Sequence, residues 1–508
     1  MGLDALFTPA FPHGFLPVLS GLVVLSTLFT LVLLTLPKQY DPHEHTASRC
    51  VDDDAKEPEA TIAQGRALLR CKQAPTVQIV VLGDIGRSPR MQYHALSIAK
   101  HGGRVFLIGY QGWKPAHTRL PAVAECCLES ELHPDIASNP LVEIVPLTAA
   151  PRALRSSSRL LFPLIAPLKV LCQVQSLWSA LGYRSPPARW MFVQNPPSIP
   201  TLAIAGLICF LRNTELVIDW HNFGYSILAL KLGPSHPLVK VSALYEKLFA
   251  KVASRHITVT NAMTRVLKDD YGVTAHALHD RPASLFRPIS PEERSKFLAR
   301  LSETAQYSKD LAPSSKKPWR LLVSSTSWTA DEDFSLLLDA LTKYSAQATY
   351  QVYLPKIVAI ITGKGPQKDY YLAQIRKLNQ EKKLLNVVIL TAWLTPEDYA
   401  LLLASADLGV SLHTSSSGVD LPMKVVDMFG AGLPVVGWGK FEAWPELVQE
   451  NVNGKGFDSS QQLCEQLMDL FGQKHALLKQ LKQGALKESE HRWDDEWDKV
   501  GGKLFKLT

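Results

Sequence analysis

The chain has 508 residues, 46% of them hydrophobic and 20% charged. That balance excludes a disordered, fibrous or polytopic membrane protein and leaves room for roughly two to four domains. Lys and Arg number 54 against 47 Asp and Glu, a net charge of +7; such mild basicity suits a phosphorylated substrate or an anionic membrane surface and falls short of a nucleic-acid signature.

The first feature along the chain is Phe15 to Leu36, 22 residues without a charge. As a helix it would reach about 33 Å, enough to cross a bilayer core. It is long for a signal peptide, and neither a basic flank before it nor a small-residue cleavage site after it is present. The expectation is one N-terminal transmembrane helix. Asp4 precedes the run while Lys38 and Arg49 follow it, so residues 1–14 are expected as a lumenal tail and the body on the cytosolic side. Residues 37–75 read as a hydrophilic linker. The seven cysteines are scattered without a CxxC pair, which argues against a zinc site or a disulfide framework. No Asn-x-Ser/Thr acceptor is present, in agreement with a reducing, cytosolic body.

Short apolar runs then alternate with amphipathic stretches. Candidate strands lie at 77–82, 104–108, 142–145, 190–193, 216–219 and 256–260, and a second series at 320–324, 357–362, 386–390, 407–411 and 434–437. Uninterrupted apolar runs separated by helices indicate buried parallel strands. The expected class is therefore α/β, with two doubly wound, Rossmann-like domains at 76–287 and 319–508 facing a cleft. Residues 288–318, polar and rich in Ser and Lys, read as a linker or surface excursion. Ligands of such sheets sit beyond the carboxyl ends of the strands.

Four post-strand segments carry chemistry. In GDIGRSPRMQYH, Gly83 and Gly86 permit a tight turn, a helix starting near Pro89 aims N–H groups at an anion, and Arg87 and Arg90 can grip phosphate. In IDWHNFGYS, Asp219, His221 and Asn222 follow a strand end. TGKGP sets Lys364 between Gly363 and Gly365, short of a Walker A loop. In SLHTSSSGVDLPMKVVDMFGAGLPVVG, a Ser/Gly loop leads to Asp420, Lys424 and Asp427. If a helix begins near Asp420, both acids share one face, and a carboxylate there can accept both hydroxyls of a ribose.

A loop, two acids seven apart and AGLPV resemble the donor site of GT-B glycosyltransferases, whose acids are usually both Glu; here both are Asp. The longer segments GDIGRSPRMQYH, FVQNPPSIPTL, DWHNFGYSIL, SSTSWTADEDFSLLLDAL, TGKGP and SSSGVDLPMKVVDMFGAGLPV resemble the chitobiosyldiphosphodolichol β-mannosyltransferase family. The resemblance runs from about residue 76 to about 460 and includes the N-terminal run.

It implies an inverting transfer of mannose from GDP-mannose to GlcNAc₂-diphosphodolichol at the endoplasmic reticulum membrane, by a single-pass protein with a cytosolic catalytic body. It implies donor contacts at Ser325, Thr326, Lys364, Gly365, Gly418, Asp420, Lys424 and Asp427. Acceptor or phosphate contacts are expected at Gly83, Gly86, Arg87, Arg90 and His94. The base is ranked Asp84 first, for its place at a strand end in the acceptor domain, and His221 second. No cofactor is required, no metal ligand set is indicated although a divalent metal is left open, and no nucleic acid is implied. A complex with other transferases of the pathway is a further implied partner. Two other readings remain: a membrane-anchored GT-B transferase with another sugar nucleotide, such as UDP-N-acetylglucosamine, or an inactive partner that recruits a transferase. The presence of Lys364, Lys424 and Asp427 weighs against the last.

Overall fold

The computed structural model describes residues 35–41, 75–111, 132–151, 154, 162–329, 331–473 and 475–507, with residues 20, 23, 24, 26, 27 and 30 of the N-terminal run. Two wholly parallel sheets organise it. The first holds β1 (Thr76–Asp84), β2 (Arg104–Tyr110), β3 (Val142–Pro146), β4 (Trp190–Asn195), β5 (Glu215–Trp220), β6 (Arg255–Thr258) and β7 (His276–Ala277), in the order β3-β2-β1-β4-β5-β6-β7. The second holds β8 (Arg320–Ser325), β9 (Ile357–Thr362), β10 (Val387–Ala392), β11 (Leu408–Ser411), β12 (Val435–Trp438) and β13 (Gly454–Phe457), in the order β10-β9-β8-β11-β12-β13. The apolar runs form strands because helices cover both faces: all six residues of β9 are buried, as are Val77, Ile79 and Val80 of β1.

In each sheet the strand order reverses once, between β1 and β4 and between β8 and β11. The crevice at such a reversal is where loops after the strands can converge on a ligand. The two crevices face each other. Asn222, after β5, donates to Ser416 Oγ and Asp420 Oδ2, both at 3.1 Å. Thr260 Oγ1 donates to the Val419 carbonyl at 2.5 Å. Glu446 accepts from the backbone N–H groups of Asn261 and Ala262, each at 2.6 Å.

Three features depart from the sequence reading. The very short β7 and β13 have no apolar run to announce them. The polar stretch 288–318 contains a helix, Pro291–Arg300, capped by Ser290, whose Phe297 and Leu298 are buried. Arg294 Nε donates to the Ser405 carbonyl at 2.8 Å, which ties this helix to the second domain. The chain end returns to the first domain: Trp493, Trp497, Leu504 and Phe505 join the core beneath β1 and β4, with Ile98, Trp190 and Phe192. The C-terminal helices therefore do not all belong to the second domain, because two Trp side chains find their apolar surface and polar partners on the first.

No helix among the described residues is long and apolar enough to cross a membrane. Most of the expected span, 15–36, lies outside the described residues.

Candidate active site between the two sheets

The loops after β8 and β9 are laid against each other. Thr326 N–H donates to the Thr362 carbonyl at 3.0 Å, and Trp328 Nε1 donates to the Gly363 carbonyl at 3.2 Å. A Cβ on Gly363 would collide with the Thr326 carbonyl, and one on Gly365 with that of Ser327. Glycine is required at both places by close backbone approach, and Gly363 also has φ +117°. Lys364 is exposed, with Nζ 3.9 Å from the centroid of the Trp393 ring. Ser325 Oγ lies 2.9 Å from Tyr399 OH. Thr326 Oγ1 and Ser327 N–H both donate to Glu332 Oε2, at 3.0 and 2.5 Å. The other oxygen of Glu332 holds Lys424. Burial alone would raise the Glu332 carboxyl, but Lys424 and the Ser327 donors bring it below its ordinary value.

The loop after β11 folds around Asp420. That carboxylate takes Ser415 Oγ on one oxygen and faces His413 Nε2 at 3.2 Å on the other. Gly418, at φ +76°, lets the loop turn while its N–H donates to Ser415 Oγ at 2.7 Å. The helix that follows spans Met423–Gly430, so it begins three residues past Asp420. The expected shared helix face of Asp420 and Asp427 is therefore absent: Asp420 is a loop latch, and only Lys424 and Asp427 lie on the helix. Pro422 stands before this helix without a side-chain cap, which leaves its first N–H groups available to an anion beside Lys424. Asp427 has no hydrogen-bond or ion-pair partner among the described residues. Burial, with the negative charge of Asp280 behind it, pushes its carboxyl up to about 8.

Across the cleft, Asp219 at the end of β5 is fully buried and fully engaged. Arg90 grips it bidentately, Nε at 2.8 Å and Nη2 at 3.0 Å. Arg90 Nη1 also donates to Asp280 Oδ1 at 2.8 Å and to the Leu278 carbonyl at 2.9 Å. His221 Nε2 lies 2.8 Å from Asp219 Oδ2, and His94 Nε2 lies 3.4 Å from the same oxygen. Burial would raise the Asp219 carboxyl, but Arg90 and the two imidazoles hold it well below the usual range. His221 is partly exposed, and with Nε2–H donating to Asp219 its Nδ1 is left as an acceptor with no partner among the described residues.

These contacts revise two expected phosphate ligands. Arg90 points inward, with all three guanidinium nitrogens donating to Asp219, Asp280 or the Leu278 carbonyl. His94 is fully buried, accepts from Trp497 Nε1 at 2.9 Å, and burial pushes it down to about 4, so it is a neutral packing residue. Arg87 stays exposed, with Nε 3.9 Å from Asp84. Gly83 precedes, and Gly86 lies within, a single 3₁₀ turn, Ile85–Arg87, where Asp84 Oδ1 accepts from Gly86 N–H at 3.1 Å. The second oxygen of Asp84 is buried without a hydrogen-bond partner. Among the described residues no group of three or more His, Cys, Asp or Glu side chains could hold a metal ion.

Comparisons with known proteins agree with this arrangement. A family model described as "Glycosyl transferases group 1" matches residues 318–473. A protein of the fungus Arthroderma benhamiae, named chitobiosyldiphosphodolichol beta-mannosyltransferase, is 55% identical over 75% of this chain and 85% of its own. The human protein of the same name is 40% identical over 84% of this chain and 92% of its own. The chain belongs to the chitobiosyldiphosphodolichol beta-mannosyltransferase family. A crystal structure of Anabaena HepE with UDP and glucose superposes with a TM-score of 0.56 at 16% identity, over 84% of this chain and 98% of that one, and shows the fold alone. The chain is a glycosyltransferase of GT-B architecture.

Some residues of this family member were not singled out from sequence. Glu332 sits in the acidic run Asp331–Asp333, and nothing local tells which acid turns inward. Nothing in the local sequence distinguishes Tyr399 or Trp328 from core aromatics. Asp280 follows β7 and is recognisable only once Arg90 is seen to reach it.

Proposed function

We propose that this glycosyltransferase moves mannose from GDP-mannose to GlcNAc₂-diphosphodolichol with inversion. The observation that carries the reading is the 55% identity to the named fungal mannosyltransferase over three quarters of the chain. The geometry supports it chemically. Asp427 offers an unpartnered carboxylate for ribose hydroxyls. Lys424, Lys364 and the start of the helix Met423–Gly430 offer positive charge for the leaving diphosphate. In one in-line step the acceptor oxygen bonds to the anomeric carbon, the bond from that carbon to GDP breaks, and the hydroxyl proton passes to a base.

The structure favours His221 for that base, reversing the order read from sequence. The ring is partly exposed and its Nδ1 has no partner among the described residues, while Asp219 fixes the ring and would stabilise the imidazolium that forms. Asp84 is the second candidate because one of its oxygens has no hydrogen-bond partner, although that oxygen is shielded and faces Arg87. The N-terminal run serves as a signal-anchor in the endoplasmic reticulum membrane with the body cytosolic, a reading supported by its length and flanking charges. The test is transfer from a panel of sugar nucleotides to GlcNAc₂-diphospholipid, with β-mannosidase digestion of the product. Transfer from GDP-mannose alone is expected; turnover with a UDP-sugar instead would overturn the donor assignment. Protease digestion of sealed microsomes should remove the body, and its protection would overturn the topology.

A further inference from the structure

Three neighbouring helices of the first domain turn large apolar side chains outward. In Pro237–Ala250 the stripe facing the protein contains Ser242 and Glu246, both buried, while Leu238, Val241, Leu244 and Leu248 are 51–58% exposed. An ordinary surface helix keeps such residues on its inner face and turns charged and polar ones outward. In Gly224–Leu232 Ser226 is buried, and Ile227, Leu230 and Leu232 face out. In Thr201–Arg212 Arg212 is buried, and Phe210 is 82% exposed. The helices pack side by side, and Phe162–Ser179, with Leu168 and Leu171 exposed, extends the layer. A surface this apolar over four adjacent elements is not the scattered exposure common to soluble proteins.

Charge and connectivity say what covers it. Across these four helices the only acidic residue is Glu246, which is buried, whereas Lys231, Lys240 and Lys251 are exposed. The polypeptide leaving the 22-residue apolar run is fastened to the edge of the same layer. Tyr183 OH donates to the Thr35 carbonyl at 2.6 Å, Arg212 Nε to the Lys38 carbonyl at 3.0 Å, and Tyr40 N–H to the Arg212 carbonyl at 2.8 Å.

We infer that this layer is a monotopic membrane-contact face, seated in the headgroup and upper acyl region of a phospholipid bilayer beside the N-terminal run. The exposed Leu, Val and Phe side chains enter the apolar zone, and the lysines reach up to lipid phosphates. Glu246 connects the face to the cleft: it accepts from Gly224 N–H at 2.7 Å and from Ser198, so a helix bedded in lipid also braces the loops after β4 and β5. The inference draws its meaning from the lipid-linked acceptor proposed above, since a bedded domain presents its cleft at the depth of a lipid diphosphate.

The experiment uses the full chain in phosphatidylcholine vesicles doped with a diazirine-bearing phosphatidylcholine, irradiated, digested and mapped by mass spectrometry. Lipid adducts on 201–212 and 224–252 are expected at least tenfold above those on 334–353 and 368–386 of the second domain. The exposed double substitution Leu244→Asp with Leu248→Asp should lower adducts on 237–252 several-fold and leave those on 15–36 unchanged. Adducts confined to 15–36, or adducts on 201–212 and 224–252 no more abundant than those on the second domain, would overturn the proposal. No sugar is transferred in this experiment, so its outcome is separate from the donor and acceptor assignment.

Discussion

Asp219 and Asp427 face the same cleft from opposite sheets and differ in almost every respect that matters to a buried acid. Asp219 has a bidentate arginine and two imidazoles, and its carboxyl is held far below the usual range. Asp427 has no hydrogen-bond or ion-pair partner among the described residues, and burial, with the negative charge of Asp280, pushes it up to about 8. The first is completed by the protein and therefore acts through what it holds. The second is incomplete until something with hydroxyl donors arrives. A saturated acid marks a positioning device, whereas an unsatisfied one marks a ligand.

The largest effect should come from the one residue that carries Asp219's influence into the cleft. His221→Ala should lower turnover by roughly 10²–10⁴-fold, the contribution of a positioned base, with the melting temperature nearly unchanged because Arg90 still satisfies Asp219. Asp84→Asn, measured alongside, should cost less than about tenfold on the same scale. The opposite ranking would return the role to Asp84.

Arg90→Met tests the saturated side directly. It strands two buried carboxylates, and chemical denaturation should show a loss of about 3–5 kcal/mol. A stable, folded variant with only a donor or acceptor defect would mean that Arg90 is a substrate ligand after all.

Asp427→Asn tests the unsatisfied side. An unfolded aspartate titrates near 3.9, and Asp427 in the folded chain near 8. Between these values the folded state binds the extra proton, so this group makes stability fall as pH rises. The Asn variant should flatten that part of the stability curve and weaken GDP-mannose use by about 1–3 kcal/mol in kcat/KM. Ribose hydroxyls favour the carboxylate, so GDP binding to the unsubstituted chain should release protons at pH 7, read by calorimetry in two buffers of different ionisation enthalpy. Equal apparent enthalpies per buffer would remove Asp427 from the ribose.

Lys424→Ala should have the smallest effect on donor use, about 1 kcal/mol in donor KM, because Lys424 is partly exposed and Lys364 and the helix start still offer positive charge. A loss confined to stability would make its pair with Glu332 purely structural.

The strands were legible because a parallel strand covered on both faces must be apolar along its whole length, as in Ile357–Thr362. The places of Lys364, Lys424 and Asp427 were legible because glycines and a polar loop cluster around them. The fates of Arg90 and His94 were not. Arg90 reads locally as a cation at the start of a helix, and its partners are 129 and 190 residues away. Burial keeps His94 neutral, and the donor to its Nδ1 is a tryptophan 403 residues downstream. Whether a charged side chain meets solvent or a distant acid is a property of the packed domains rather than of its own segment. The same limit hid the C-terminal return.

That return has a mechanical consequence. The chain passes between the domains twice, near 281–290 and near 488–493, and the two passages are tied together: Arg281 pairs with Glu488 at 2.8 Å, and Arg492 Nη1 donates to the Phe286 carbonyl at 3.2 Å. A single tether would allow one domain to twist and slide on the other. Two tethers fastened side by side act as a door hinge, leaving one easy rotation that opens the cleft and resisting the others. Any movement of one domain on the other would then follow that axis and keep the donor-side loops in register with the first domain.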